Sequence, residues 1–303
     1  MRTLVFASVL CLAACSGAPV TDAPAAQAQL PAASPPPRVD AALQQRLEEI
    51  ASRAGGTVGV AVLHIESGRI AANDAAGTPL PLFSVFKLPV AIVTLKNIEE
   101  GRLSLETRIH VEPKEVRSGV ESNSALWRVP SDRTVREMID LSMTRSDNTS
   151  VDKLMEKAGG AAAVAERLRA LGVDGISITG TVRDFRPDAT HPNMGTARGL
   201  VRLLARLHKG EVLAAPQRQV LLEIMSRQLT GDRRLKGGLP PGTAIAAKTG
   251  TGRSNTNDAG IITLPDGKGH LAMAVLISGS PLAPEAQEAL IAELARAAMT
   301  AAA

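Results

Sequence analysis

Leu82-Phe83-Ser84-Val85-Phe86-Lys87-Leu88-Pro89-Val90 marks the point at which the chain changes from strand-like alternation to helical periodicity. If a helix begins at about Ser84, Lys87 lies on the same face, with Cβ atoms about 5 to 6 Å apart. The amine can then reach the serine hydroxyl. A lysine acts as a base only when neutral, and the positive end of a helix, burial and neighbouring cations all favour that form. The motif is short, and a second copy at Ser150 and Lys153 reads as a solvated helix pair. Taken alone, the first copy fits a surface lysine with a capping serine equally well.

Upstream, Asp40 is placed to cap a helix carrying Leu43, Leu47 and Ile50, which Gly55-Gly56 stops. Thr57 to Ile65 alternates Val58, Val60 and Val62 with small residues ahead of Ser67-Gly68, the pattern of a strand and a turn. At the far end, Ala244 to Thr249, Ala259 to Leu264 and Leu271 to Ile277 have strand character, with a Pro265-Asp266-Gly267 turn and a last helix from about Pro284 to Met299. Helical text fills the middle. Its segments are Val85 to Glu100, Thr134 to Met143, Val151 to Lys157, Ala161 to Leu171, Thr196 to Lys209 and Pro216 to Ser226. The expected fold is mixed α/β: residues 39–83 plus 229–303 form an antiparallel sheet flanked by helices, and residues 84–228 form an all-helical lobe beside it. A site would lie in the cleft between them.

Length and composition agree with this. The 303 residues are 45% apolar and 21% charged, enough to bury a core, but there is no Tyr, one Trp (Trp127) and four Phe. This composition argues against aromatic cages, base-stacking platforms and haem pockets walled by Phe and Tyr. Net charge is +4 with no basic block, which argues against nucleic acid as a partner. Arg2 and the apolar run from Leu4 to Ala14 read as a signal segment over residues 1–14, too short for the roughly 20 apolar residues of a membrane span. Leu12-Ala13-Ala14-Cys15 resembles a bacterial lipobox, with Cys15 as the lipidated residue; an ordinary secretory signal is the alternative. Residues 15–38, rich in Ala, Gln and Pro, read as a tether. The expected location is the periplasm, with the membrane contacted through the lipid alone. Both cysteines, Cys11 and Cys15, precede the fold, so its body holds no disulfide. The five histidines, His64, His110, His191, His208 and His270, show no ligand spacing, and no metal or cofactor is expected.

Two further triplets give the first motif its meaning. Ser146-Asp147-Asn148 stands in a break between helices, and Lys248-Thr249-Gly250 on an expected strand. In this order the three match the S-x-x-K, S-D-N and K-T-G set of class A β-lactamases and penicillin-binding proteins. The chain resembles class A β-lactamases over about residues 40–300, including Lys248-Thr249-Gly250-Thr251-Gly252 running on to Thr256-Asn257-Asp258. Thr230-Gly231-Asp232-Arg233-Arg234-Leu235-Lys236 resembles the segment from which some members extend an arginine, here Arg234. The resemblance implies that Ser84 attacks the lactam carbonyl with Lys87 as base, while backbone N–H groups of Ser84 and Thr251 hold the oxyanion. It also implies that Ser146, beside Lys248, protonates the departing nitrogen. Asn148 would bind the substrate amide, and Thr249, Thr251 and Arg234 its carboxylate.

The resemblance stops at one loop. Where the family carries a glutamate that activates the hydrolytic water, this chain reads Thr181-Val182-Arg183-Asp184-Phe185-Arg186-Pro187-Asp188, with no glutamate. Asp188 has the family's spacing from an arginine, and Asp184 is the other carboxylate available. Asp152 stands where the family usually has an asparagine supporting that loop. The expected function is a monomeric serine β-lactamase. The alternatives are a D-alanyl-D-alanine peptidase acting on a peptidoglycan-like substrate and a binder that is acylated without turnover.

Overall fold

The structure is a computed structural model that describes residues 39–117, 125–186 and 193–302. Cys15 and the tether lie outside the described residues. The chain begins with α1 (Ala41–Ala51), whose N-cap Asp40 accepts a hydrogen bond from the Leu43 N–H, as its position before an apolar run suggests. A 3-10 turn and Gly55, at φ 67°, redirect the chain into β1 (Thr57–His64), β2 (Ile70–Ala72) and the short β3 (Leu80–Pro81). A 3-10 turn over Phe83–Phe86 leads to α2 (Lys87–Glu99), so the α-helix starts two residues later than the Val85 its periodicity suggested.

Next come β4 (Arg108–Val111), β5 (Ser131–Thr134), α3 (Val135–Thr144), α4 (Asn148–Lys157) and α5 (Gly160–Ala170). They are followed by β6 (Ile176–Ile178), β7 (Asn193–Gly195), α6 (Ala197–Lys209) and α7 (Ala215–Ser226). Strands β2 to β7 were not read from the sequence, because pieces of two to four residues are too short to show a period of two, and four of them interrupt the segment expected to be all helical. The chain closes with β8 (Ile245–Gly252), β9 (Asn255–Thr263), β10 (His270–Ser278) and α8 (Pro284–Ala302). No helix among the described residues is long and apolar enough to cross a membrane.

Five strands form one antiparallel sheet in the order β2-β1-β10-β9-β8. Alternation sorts its residues onto two cores. Leu271, Met273, Val275 and Ile277 of β10 pack with Val58, Val60 and Val62 against α1 and α8. On the opposite face, Ala61, Ala259, Ala272 and Ala274 are small enough for helices to approach closely, and Leu276 and Ile261 join the core of α2, α3, α4, α6 and α7. Helix α2 is buried along almost its whole length, from Lys87 to Leu95. Apolar residues on every side are what a central helix needs, and a lysine at its head is the exception that requires explanation.

Candidate active site

The 3-10 turn that carries Ser84 lies against the edge strand β8. Two glycines make that approach possible. A Cβ on Gly250 would stand 2.5 Å from the Leu82 carbonyl oxygen and 3.2 Å from the Ser84 nitrogen, and one on Gly252 would stand 2.2 Å from the Phe83 ring. Phe83 itself has φ 45°, a conformation that a bulky L-residue adopts only when its surroundings impose it. The ring meets Phe185 edge-on, 6.3 Å between centroids. Asn257 of β9 holds the same turn by donating to the carbonyls of Pro81 (2.9 Å) and Leu82 (3.1 Å).

Lys87 follows one turn later and is fully buried. Its Nζ lies 2.6 Å from the Ser146 carbonyl oxygen, 2.7 Å from Asn148 Oδ1, 3.1 Å from Ser84 Oγ and 3.2 Å from Ser146 Oγ. The two closest partners are oxygens that can only accept. A neutral amine satisfies them with its two protons and turns its lone pair toward a hydroxyl. Burial pushes the Lys87 pKa down to about 7, against the upward pull of the Asp147 and Asp152 carboxylates.

Ser146 sits between α3 and α4 at φ 57° and joins two lysines. Its Oγ is 3.2 Å from Lys87 Nζ and 3.1 Å from Lys248 Nζ, and the Lys248 amine also donates to the Thr249 carbonyl at 2.9 Å. Lys248 is fully buried as well. Burial, then the positive charge of Lys87, hold its pKa well below the ordinary lysine value, while Asp258 opposes the shift. Asp147, the middle residue of the triplet, faces away from this group. It caps α4 by accepting from the Ser150 N–H (2.7 Å) and hydroxyl (2.6 Å), and it accepts from the indole of buried Trp127 at 3.2 Å. Ser150 is therefore buried and partnered, and Lys153 pairs with Glu115 at 2.6 Å, so the second serine-lysine match is not the solvated pair expected.

Arg234 reaches β8 from beneath. It donates to Thr251 Oγ1 (2.9 Å), to the carbonyls of Gly250 and Asn257 (3.0 Å each) and to Glu288 (3.1 Å). Arg234 is buried, Thr251 exposed, and the guanidinium lends its charge to the threonine it holds. Thr249 shares a 2.7 Å hydrogen bond with the Thr230 hydroxyl. Asp258, opposite Thr249 in the ladder, is pushed up to about 6 by burial, against the pull of Arg234.

Of the loop carboxylates, Asp188 lies outside the described residues. Asp184 is turned inward on its own segment, accepting from the Thr181 N–H and hydroxyl at 2.8 Å. Asp152 accepts from the Val182 N–H (2.7 Å), the Arg183 N–H (3.3 Å) and Arg117 Nε (3.3 Å). It clamps the start of the loop, and burial raises its pKa above the usual aspartate value in spite of those donors. The structure thus brings Ser84, Lys87, Asn148, Ser146 and Lys248 into one hydrogen-bonded group and places Thr249, Thr251 and Arg234 along the adjoining strand. Arg117, Trp127 and Glu288 carried no motif, and only their contacts reveal them.

Fold and site together place a serine hydroxyl within hydrogen-bond reach of a buried lysine, the arrangement of a serine hydrolase. The chain belongs to the Beta-lactamase enzyme family, whose family model matches residues 42–302. Among its relatives is the extended-spectrum β-lactamase PER-1 of Pseudomonas aeruginosa, 30% identical over 273 residues covering 84% of this chain and 86% of that protein. A solved β-lactamase from Chitinophaga pinensis superposes with a TM-score of 0.82 at 33% identity, over 86% of this chain and 100% of that one. A variant of PBP-A, in acyl-enzyme complex with penicillin G, superposes with a TM-score of 0.79 at 27% identity, over 88% of this chain and 98% of that one.

Proposed function

We propose that the protein hydrolyses β-lactams through an acyl-enzyme on Ser84. The observation that carries this reading is the position of Lys87, whose two shortest contacts are acceptors and whose third is Ser84 Oγ at 3.1 Å. The neutral amine takes the Ser84 proton as Oγ adds to the lactam carbonyl carbon. Collapse of the tetrahedral intermediate breaks the C–N bond. Ser146 gives its proton to the departing nitrogen and regains one from Lys87, returning the amine to its starting state. Lys248 keeps a donor on Ser146 Oγ, and Thr249, Thr251 and Arg234 form the positive strand edge that receives the substrate carboxylate. Water then attacks the ester, and Ser84 leaves with a proton. Asp188 is the carboxylate we assign to that water, on its spacing from Arg186 alone, because Asp184 and Asp152 are engaged in holding the loop.

Purified protein with a chromogenic β-lactam tests this. Sustained turnover, abolished in Ser84→Ala and slowed mainly in deacylation by Asp188→Asn, is the expected result. A burst equal to the enzyme concentration followed by no turnover would overturn it in favour of a penicillin-binding peptidase or a non-turnover binder. We also propose that Cys15 is lipidated and that the enzyme faces the periplasm on the tether of residues 15–38. The lipobox-like Leu12-Ala13-Ala14-Cys15 supports this, and mass spectrometry of the membrane-extracted N-terminus tests it.

A further inference from the structure

Three of the five histidines, far apart in sequence, meet around one carboxylate at the other end of the sheet. Glu66 lies in the turn between β1 and β2, His270 opens β10, and His208 stands in the last turn of α6. Glu66 Oε1 is 2.7 Å from His270 Nδ1 and 3.9 Å from His208 Nε2, and one ligand atom from each residue falls within 4.8 Å of the other two. The two imidazole rings are 4.1 Å apart between centroids. We propose that Glu66, His208 and His270 form a binding site for a divalent transition-metal ion of the zinc class, separate from the catalytic group.

Two imidazoles with one carboxylate, leaving a position open for water, is a donor set suited to zinc. With metal-ligand distances near 2.1 Å, tetrahedral geometry puts ligand atoms about 3.4 Å apart. The contact now at 2.7 Å has to open slightly and the one at 3.9 Å to close, both within the reach of side-chain rotation. The surroundings hold the carboxylate where such an ion needs it. The His270 N–H donates to Glu66 Oε2 at 2.8 Å, and a Cβ on Gly269, which has φ 98°, would stand 2.3 Å from that same oxygen. Glycine at 269 is thus required both by the backbone and by the space that Glu66 fills. His64 Nε2 donates to the Lys268 carbonyl at 2.9 Å, and its Nδ1, 3.7 Å from Glu66 Oε2, accepts from the Ser67 N–H. These contacts fix the turn around the carboxylate as outer partners fix a metal ligand.

The ion would join the β1–β2 turn, the start of β10 and the end of α6. It would not touch the catalytic group. Lys248 lies across the ladders from Ala274, and at about 3.4 Å per residue His270 is about 14 Å further along the strand. Binding should therefore raise thermal stability and leave β-lactam turnover unchanged.

The test is calorimetric titration of the full chain with zinc chloride in phosphate-free buffer, paired with thermal unfolding. One ion per chain and a rise in the unfolding midpoint are expected for the parent protein. Both should be lost in His208→Gln/His270→Gln and binding weakened at least tenfold in Glu66→Gln, with turnover retained as the check on folding. His110→Gln removes the other histidine flanked by carboxylates and should bind as the parent does. If the double variant loses turnover, His208→Gln alone decides, since its ring is partly exposed. No binding by the parent, or equal binding by the Glu66 and His208 variants, overturns the proposal.

Discussion

Titrating the acylation step tests the assignment of Lys87 most directly. With its pKa at about 7, about half of the Lys87 side chains are neutral at pH 7; at an ordinary lysine value of 10.5 the fraction would be about one in 3,000. Burial at the head of α2 thus multiplies the population of competent base by about a thousandfold. Because only the neutral amine can take the Ser84 proton, acylation should rise with pH. It should gain about tenfold per unit well below pH 7, reach half its plateau near pH 7 and level off above about pH 8. Stopped-flow measurement of the acylation burst with a chromogenic β-lactam from pH 5 to 10 gives this profile without interference from deacylation. Lys87→Gln keeps two N–H donors for the Ser146 carbonyl and Asn148 but has no lone pair for the hydroxyl. It should slow acylation by about 100- to 10,000-fold, the usual range for a general base. A rate that continues to climb to pH 10, or a Gln variant that acylates like the parent, would refute the assignment.

Asp152→Ala removes the acceptor of the Val182 and Arg183 N–H groups and should slow deacylation at least tenfold while leaving the acylation burst intact; burst and steady-state phases from the same traces separate the two. Arg234→Ala removes the larger of the two cationic influences on buried Asp258, leaves Glu288 only Arg233 at 3.4 Å and unties Thr251, so urea unfolding should show a loss of about 3 kcal/mol, with KM raised among the molecules that remain folded. Gly252→Ala drives a methyl group into the ring of Phe83, the residue before Ser84, and should lower kcat in steady-state assays. Equal kinetics in that variant and the parent would show that the Phe83 turn tolerates displacement.

Four of the sheet's five strands, β1, β8, β9 and β10, were legible because they alternate and are bounded by Gly, Pro and Asp, while the three-residue β2 was not; α1 announces itself through its cap and spacing and α8 through its spacing. The catalytic group was legible for a different reason. Its members fall in three short motifs, one in the turn that leads into α2, one in the α3–α4 break and one within the edge strand β8. What escaped is whatever depends on residues distant in sequence. Nothing in Gly250-Thr251-Gly252 says that a phenylalanine ring and a carbonyl will occupy the space where its side chains would be. Nor does Asp152, noticed only as a departure from an asparagine, declare the two backbone N–H groups that it holds thirty residues on. The histidines show the limit most clearly. Ligand spacing can be read from a chain only when the ligands share a helix or a turn. Here the β1–β2 turn, β10 and α6 each deliver one residue to the cluster, and antiparallel pairing of β1 with β10 brings His64 opposite Leu271, beside His270. A site assembled by sheet register leaves no local motif, so the same folding that made the catalytic triplets easy to place hid the second cluster until the register was known.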